Sequence, residues 1–168
     1  MLDKIFFLTL YHTKTIYINL IYISTVILQH MKLTKKTRYG ARLLLDLAQH
    51  QDKGAVQMRD ISIRQNISVK YLEQIIRPLK KAELVKSFRG PKGGHILAKK
   101  AEKITLGDIT RLFEDQPELV DCISEPETCS KSDDCVVRLG WQKATIALYK
   151  ELDSISIANL LESKKSIT

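Results

Sequence analysis

Cysteine is scarce in this 168-residue chain, and the three present, Cys122, Cys129 and Cys135, fall within one short stretch. An odd number, with no A-x-A-like cleavage site after a basic amino-terminal region, argues against a secreted disulfide framework and for a reducing cytoplasm. Membrane-spanning length is also lacking. The uncharged run at residues 15–29 has 15 residues, short of the roughly 20 that a helical span needs. Enzyme motifs are missing as well: there is no P-loop, no G-x-S-x-G and no H-E-x-x-H, and His12, His30, His50 and His95 are scattered.

Positive charge, by contrast, is plentiful and unevenly spread. The formal net charge is +8; residues 31–103 hold 18 Lys and Arg against 6 Asp and Glu, whereas residues 104–168 hold 7 against 12. A cationic half of this kind suits a surface that neutralises phosphates and releases their counterions.

Residues 60–97 organise that half. Leu72, Ile75, Ile76 and Leu79 recur at i, i+3, i+4 and i+7, which gives one helix an apolar face that must pack inward. Its opposite face carries Lys70, Tyr71, Gln74, Arg77 and Lys81, side chains that reach phosphates or base edges from a helix fitting the major groove. Ser68 stands at the N-cap position and Asn66 suits a turn residue with positive φ. Pro78 predicts a kink or an early tightening. Residues 84–88 then alternate as a strand, Arg89-Gly90-Pro91-Lys92-Gly93-Gly94 is turn chemistry, and His95-Ile96-Leu97 returns.

Upstream, residues 33–50 read as a helix with Leu43, Leu44, Leu47 and Ala48 buried and Lys35, Lys36, Arg38 and Arg42 wet. Met58 and Ile61 mark a short helix to Gln65, with Ile67 inserting under the turn. The expected fold class is mainly α: a winged helix-turn-helix with a two-stranded wing, followed by a long C-terminal dimerisation helix.

In the acidic half, Thr105-Leu106-Gly107-Asp108 is a capping box opening a helix whose Leu106, Ile109, Leu112 and Phe113 face inward, closed by Pro117. The cysteines follow as Cys122-x6-Cys129-x5-Cys135 in a polar loop. Capping by Asp133 or Asp134 would set Cys135 in the first turn of the next helix, where the helix dipole favours a thiolate. The spacing is not the C-x2–4-C of a zinc site. On the residues alone, a cofactor site and three unliganded thiols both stand. From Cys135 to about Leu152, the residues Val137, Trp141, Ala144, Leu148 and Leu152 follow a near-heptad seam. With little core left for it to cover, the seam predicts a homodimer. Ser156 caps a last helix carrying Ile157, Leu160 and Leu161.

From residue 31 onward the chain resembles the winged-helix regulators of the IscR/NsrR type, the Rrf-two family. The matching segments are Met31-Lys32-Leu33-Thr34 with Arg38-Tyr39, Asp60-Ile61-Ser62, Ile67-Ser68-Val69-Lys70-Tyr71-Leu72-Glu73-Gln74, Leu84-Val85, the wing from Arg89 to Gly94, and the loop with three cysteines. The resemblance reaches about Leu161. It implies that Ser68, Lys70, Tyr71 and Glu73 face the major groove and that Arg89, with Lys92 as second wing cation, approaches the minor groove. It further implies an iron–sulfur cluster, of two-iron or four-iron form, held by Cys122, Cys129 and Cys135. The chain departs from the pattern at the fourth ligand. The His of IscR-like members is replaced by Arg138 and the Asp of NsrR-like members by Arg38, and neither can bind iron while protonated. Glu125, Glu127, Asp133, Asp134, a residue of the partner subunit or a small molecule remains for that place.

The expectation is a cytoplasmic transcriptional repressor that binds a double-stranded, pseudo-palindromic DNA operator as a homodimer, without a membrane anchor, and senses redox, nitric oxide or iron–sulfur status. The rival readings are a zinc- or thiol-based winged-helix regulator without a cluster, and a protein-binding winged-helix adaptor. Three segments are expected: residues 1–30 as an upstream extension before a true start at Met31 or as a disordered, apolar amino-terminal segment, residues 31–103 as the DNA-binding domain, and residues 104–168 as cysteine loop and dimerisation region.

Overall fold

A computed structural model describes residues 33–166, so the expectations for residues 1–30 lie outside the described residues. Helix α1 (Lys35–His50) begins where the Thr34 side chain accepts from the Thr37 N–H, and it ends in a 3-10 turn, Gln51–Lys53. Leu43, Leu44 and Leu47 are fully buried, as their spacing predicts. Helix α2 (Met58–Gln65) ends at Asn66, which takes the left-handed conformation at φ 52°. Asparagine tolerates that conformation better than most residues. The reversal drops Ile67 into the core and brings Ser68 to the N-cap of α3 (Val69–Lys81), where its hydroxyl accepts from the Tyr71 N–H at 3.3 Å.

All four apolar residues of the α3 face, Leu72, Ile75, Ile76 and Leu79, are buried. Each stabilises the fold by about 1.5–3 kcal/mol relative to an exposed side chain. The helix continues past Pro78 to Lys81. It tightens only at its end, where the Glu83 N–H reaches the Lys80 carbonyl and the Leu84 N–H reaches back to that of Leu79 at 2.9 Å. Glu83 is left-handed, at φ 55°, the geometry of a Schellman stop that then seats Leu84 against the core.

Strands β1 (Val85–Phe88) and β2 (Gly94–Leu97) pair antiparallel with Val85 opposite Leu97 and Phe88 opposite Gly94. A further bridge joins Val56 to His95, so the wing is tied to the segment before α2 as well. Sequence reasoning missed that bridge. It explains Gly94: a Cβ there would lie 2.5 Å from the Val56 carbonyl oxygen.

Helix α4 (Leu106–Phe113) carries the expected capping box between Thr105 and Asp108. It ends at Phe113, four residues before Pro117, so the proline does not close it as expected. Phe113 lies over Gly40 of α1, where a Cβ would come 2.6 Å from the ring. Helix α5 (Val136–Ser154) is the longest element among the described residues, and none of its residues is buried. Helix α6 (Ile157–Lys165), capped by Ser156 and Asn159, returns to lie against α1. Its Ile157, with Ile104, Ile109 and Phe113, joins the core built on α1 to α3. Among the described residues no helix is long and apolar enough to cross a membrane.

Candidate nucleic-acid interface and cysteine loop

Burial of one α3 face leaves the other in solvent. Lys70, Glu73, Gln74, Arg77 and Lys81 are exposed, and so is Ser68, whose oxygen is already engaged by the cap. Tyr71 is only half-exposed: its ring meets that of Tyr39 edge-on at 5.8 Å, and the Arg42 guanidinium lies 5.5 Å from the centroid of Tyr39. Tyr71 therefore also fastens α3 to α1 while part of it stays in solvent.

Beneath this surface the pitch of α2 is fixed by a polar network absent from the sequence reading. Asp46 of α1 is buried, yet Arg64 of α2 holds its carboxylate through Nε and Nη2, and the Gln65 amide donates to it at 2.8 Å. Burial pushes the Asp46 carboxyl up, but the hydrogen bonds from Arg64 and Gln65 and the nearby positive charge outweigh it, so the group ends below its ordinary value. Arg42 donates from Nε to the Gln65 amide oxygen at 3.0 Å, which removes it from the set of free surface cations. An acid at position 46, set between Leu44 and Leu47 on the apolar stripe, was the available signal.

In the wing, Lys86, Arg89 and Lys92 are exposed. The Gly93 N–H closes the turn on the Gly90 carbonyl at 2.8 Å, and the Gln57 amide donates to the Pro91 carbonyl at 3.5 Å. The tip is thus braced from the residue that precedes α2. His95 pairs its Nδ1 with the Ser87 hydroxyl at 2.9 Å; burial, and then the charge of Lys80, lower its pKa.

The cysteine loop runs between α4 and α5. Cys122 lies in a 3-10 turn, Asp121–Ile123, and is half-buried; Cys129 follows a second turn, Pro126–Thr128, and is exposed; Cys135 is half-buried. Cys135 is itself the N-cap of α5, with no side-chain cap bond. Neither Asp133 nor Asp134 caps the helix as expected, and both are exposed. The loop is held on α5 at two places, by Leu119 N–H to the Thr145 hydroxyl at 3.4 Å and by Arg138 to the Ser132 carbonyl at 3.2 Å. Arg138 is therefore committed to the loop backbone.

Three thiols are suitable donors for an iron–sulfur cluster, but their arrangement does not fit one. Among the described residues no group of three or more His, Cys, Asp or Glu side chains is gathered closely enough to hold a metal ion. Two polar contacts link α4 to the reading head and α5 to α4. Glu114, where α4 ends, accepts from the Thr34 N–H at 2.8 Å and from the Thr37 hydroxyl. Arg111 of α4 binds Asp153 of α5 through both terminal nitrogens at 2.7 Å and lies 4.5 Å from the Tyr149 ring centroid. The hydrogen bonds from Arg111 hold the Asp153 carboxyl below its usual range.

The helix-turn-helix, its braced basic wing and the loop on a long terminal helix can now be set beside known proteins. The Rrf2 family profile, described as "Iron-dependent Transcriptional regulator", matches residues 33–163. The chain belongs to the Rrf2 family of transcriptional regulators. Protein rrf2 of Nitratidesulfovibrio vulgaris is 43% identical over 131 residues, covering 78% of this chain and 87% of that protein. Two solved Rrf2-type structures share its fold. CymR, described as the global cysteine regulator of B. subtilis, superposes with a TM-score of 0.66 at 32% identity over 79% of this chain and 98% of that one. IscR of T. potens superposes with a TM-score of 0.64 at 35% identity over 82% and 91%. The Rrf2 assignment makes this chain a regulator of transcription rather than an enzyme.

Proposed function

We propose that this Rrf2-family regulator is a repressor that binds an operator in double-stranded DNA as a homodimer and responds through its cysteine loop. The observation that carries the DNA reading is the division of α3: its four apolar residues are buried, and Lys70, Glu73, Gln74 and Arg77 are left in solvent beside a wing bearing Arg89 and Lys92. Ser68, Lys70, Tyr71 and Glu73 are the proposed major-groove residues and the wing cations the minor-groove ones. Two such heads would read half-sites about one helical turn apart, or a multiple of it. The dimer reading is supported by α5, which displays Val137, Trp141 and Leu148 to solvent.

For the loop, the family resemblance supports Cys122, Cys129 and Cys135 as ligands of an iron–sulfur cluster. That reading requires the loop to refold around the group, as metal sites that form together with their ligands do. A second reading, a thiol-based regulator without metal, is favoured by the ungathered sulfurs. Anaerobic purification with iron, sulfide and zinc analysis and an absorption spectrum separates the two. Stoichiometric iron and sulfide with visible charge-transfer absorption supports the cluster; colourless, metal-free protein overturns it. Footprinting at low ionic strength tests the DNA reading, and a duplex left wholly unprotected overturns it.

A further inference from the structure

Phe88 takes no part in the core. The residue is 53% exposed, and it occupies the last paired position of β1, opposite Gly94, which has no side chain to cover the ring. Alternation along the strand turns Val85 inward and sets Lys86 and Phe88 on the other face of the hairpin. Arg89 follows at once and Lys92 stands across the turn, both exposed. An aromatic ring flanked by three cations suits a polyanion with stacked aromatic faces, and is poorly matched to an apolar protein surface. The backbone beneath it is well fixed. Strand pairing holds Phe88, the Gln57 amide braces Pro91, and Gly93 sits so close that a Cβ there would lie 2.5 Å from the Phe88 carbonyl oxygen.

We infer that Phe88 is an apolar wedge that enters the minor groove beside Arg89 and partly unstacks one base step. The partner is the A·T-rich minor groove flanking the site of α3, where arginine is drawn by the narrow groove and a phenyl ring spreads a flexible pyrimidine–purine step. Phe88 thereby selects sequence by deformability at a position where no base edge is read. The inference rests on the DNA-binding reading above and adds to it a residue and a mode of readout.

The test uses the full chain and a duplex selected by the wild-type protein from a random-sequence pool, with 2-aminopurine placed in turn at each step of the minor groove that the protein protects. The wild type is expected to raise the fluorescence at one step. Phe88→Ala is expected to abolish that rise and to weaken binding roughly tenfold, with the salt dependence unchanged because no cation is lost. Phe88→Trp is expected to keep both. Unchanged affinity and fluorescence in Phe88→Ala, or a loss of affinity that tracks a change of oligomeric state in sedimentation, overturns the inference. A wild-type complex with no fluorescent step overturns the wedge alone, whereas no wild-type complex at low salt overturns the DNA reading and the wedge with it.

Discussion

Arg64 of α2 reaches the buried carboxylate of Asp46 on α1 with Nη2 2.6 Å from Oδ1, while Asp46 is 1% exposed. This ion pair, with Gln65 beside it, fixes the helix that leads into the turn before α3. Asp46→Asn is expected to lower stability at neutral pH by about 3 kcal/mol, the lower end of the cost of breaking a buried pair, since Arg64 keeps a third of its side chain in water. The pH dependence has a definite sign. The native Asp46 carboxyl lies below its ordinary value of 3.8, so its contribution is complete above that value and is lost as pH falls through the lower native one. The gap between wild type and variant in urea unfolding should therefore be wide at pH 7 and close on acidification below about 3.8. A gap independent of pH would count against the ion pair as its source.

Gly94 marks the closest approach of β2 to the segment before α2. A Cβ there would lie 2.5 Å from the Val56 oxygen and 2.7 Å from its carbonyl carbon, both backbone atoms that cannot swing aside. Gly94→Ala is expected to cost about 1–3 kcal/mol, as overpacking does. It should also release the bridge between Val56 and His95, seen as faster hydrogen exchange of their amides. Exchange as slow as in the wild type would show that the wing has room that the structure denies it.

The reading head was legible in the sequence because its signals are local. The i, i+3, i+4, i+7 spacing of Leu72, Ile75, Ile76 and Leu79 set the buried face of α3, and Asn66 with Ser68 set its start. The residues that tie elements together were not legible, because their partners are distant in sequence. Asp46 finds Arg64 eighteen positions on, and Glu114 reaches Thr34 across eighty. The capping box at Thr105 was readable from four consecutive residues; the place of Cys135 was misread, because either of two adjacent aspartates satisfied the same local rule and neither is used. The loop chemistry stayed open for a related reason. Spacing alone does not say whether thiols seven and six positions apart converge.

Arg89 stands exposed at the start of a turn whose backbone is closed by Gly90 and Gly93 and braced by Gln57. Arg89→Ala is expected to weaken operator binding by about 1–3 kcal/mol and to reduce the slope of log affinity against log salt by about 1. Titrations at several salt concentrations check both. An affinity change without a change of slope would mean that the guanidinium does not meet a phosphate-lined groove.

Trp141 is 46% exposed on α5, a helix in which no residue is buried. Val137 lies four residues before it and Ala144 and Leu148 lie three and seven residues after it, all exposed with it, so the seam forms one continuous apolar stripe along the helix. Tryptophans at the centre of such stripes carry a large part of association energy, about 2 kcal/mol or more each on truncation, and a two-fold interface places the residue twice. Trp141→Glu should therefore give a monomer in sedimentation at concentrations where the wild type is a dimer. The thermal transition of the reading head should change little, since its core contains nothing from α5. Operator affinity should fall with the loss of the second half-site, and half-site affinity should stay. A Trp141→Glu protein that remains dimeric would move the interface off this helix, and with it the route by which the cysteine loop, held on α5 through Thr145 and Arg138, reaches the paired heads.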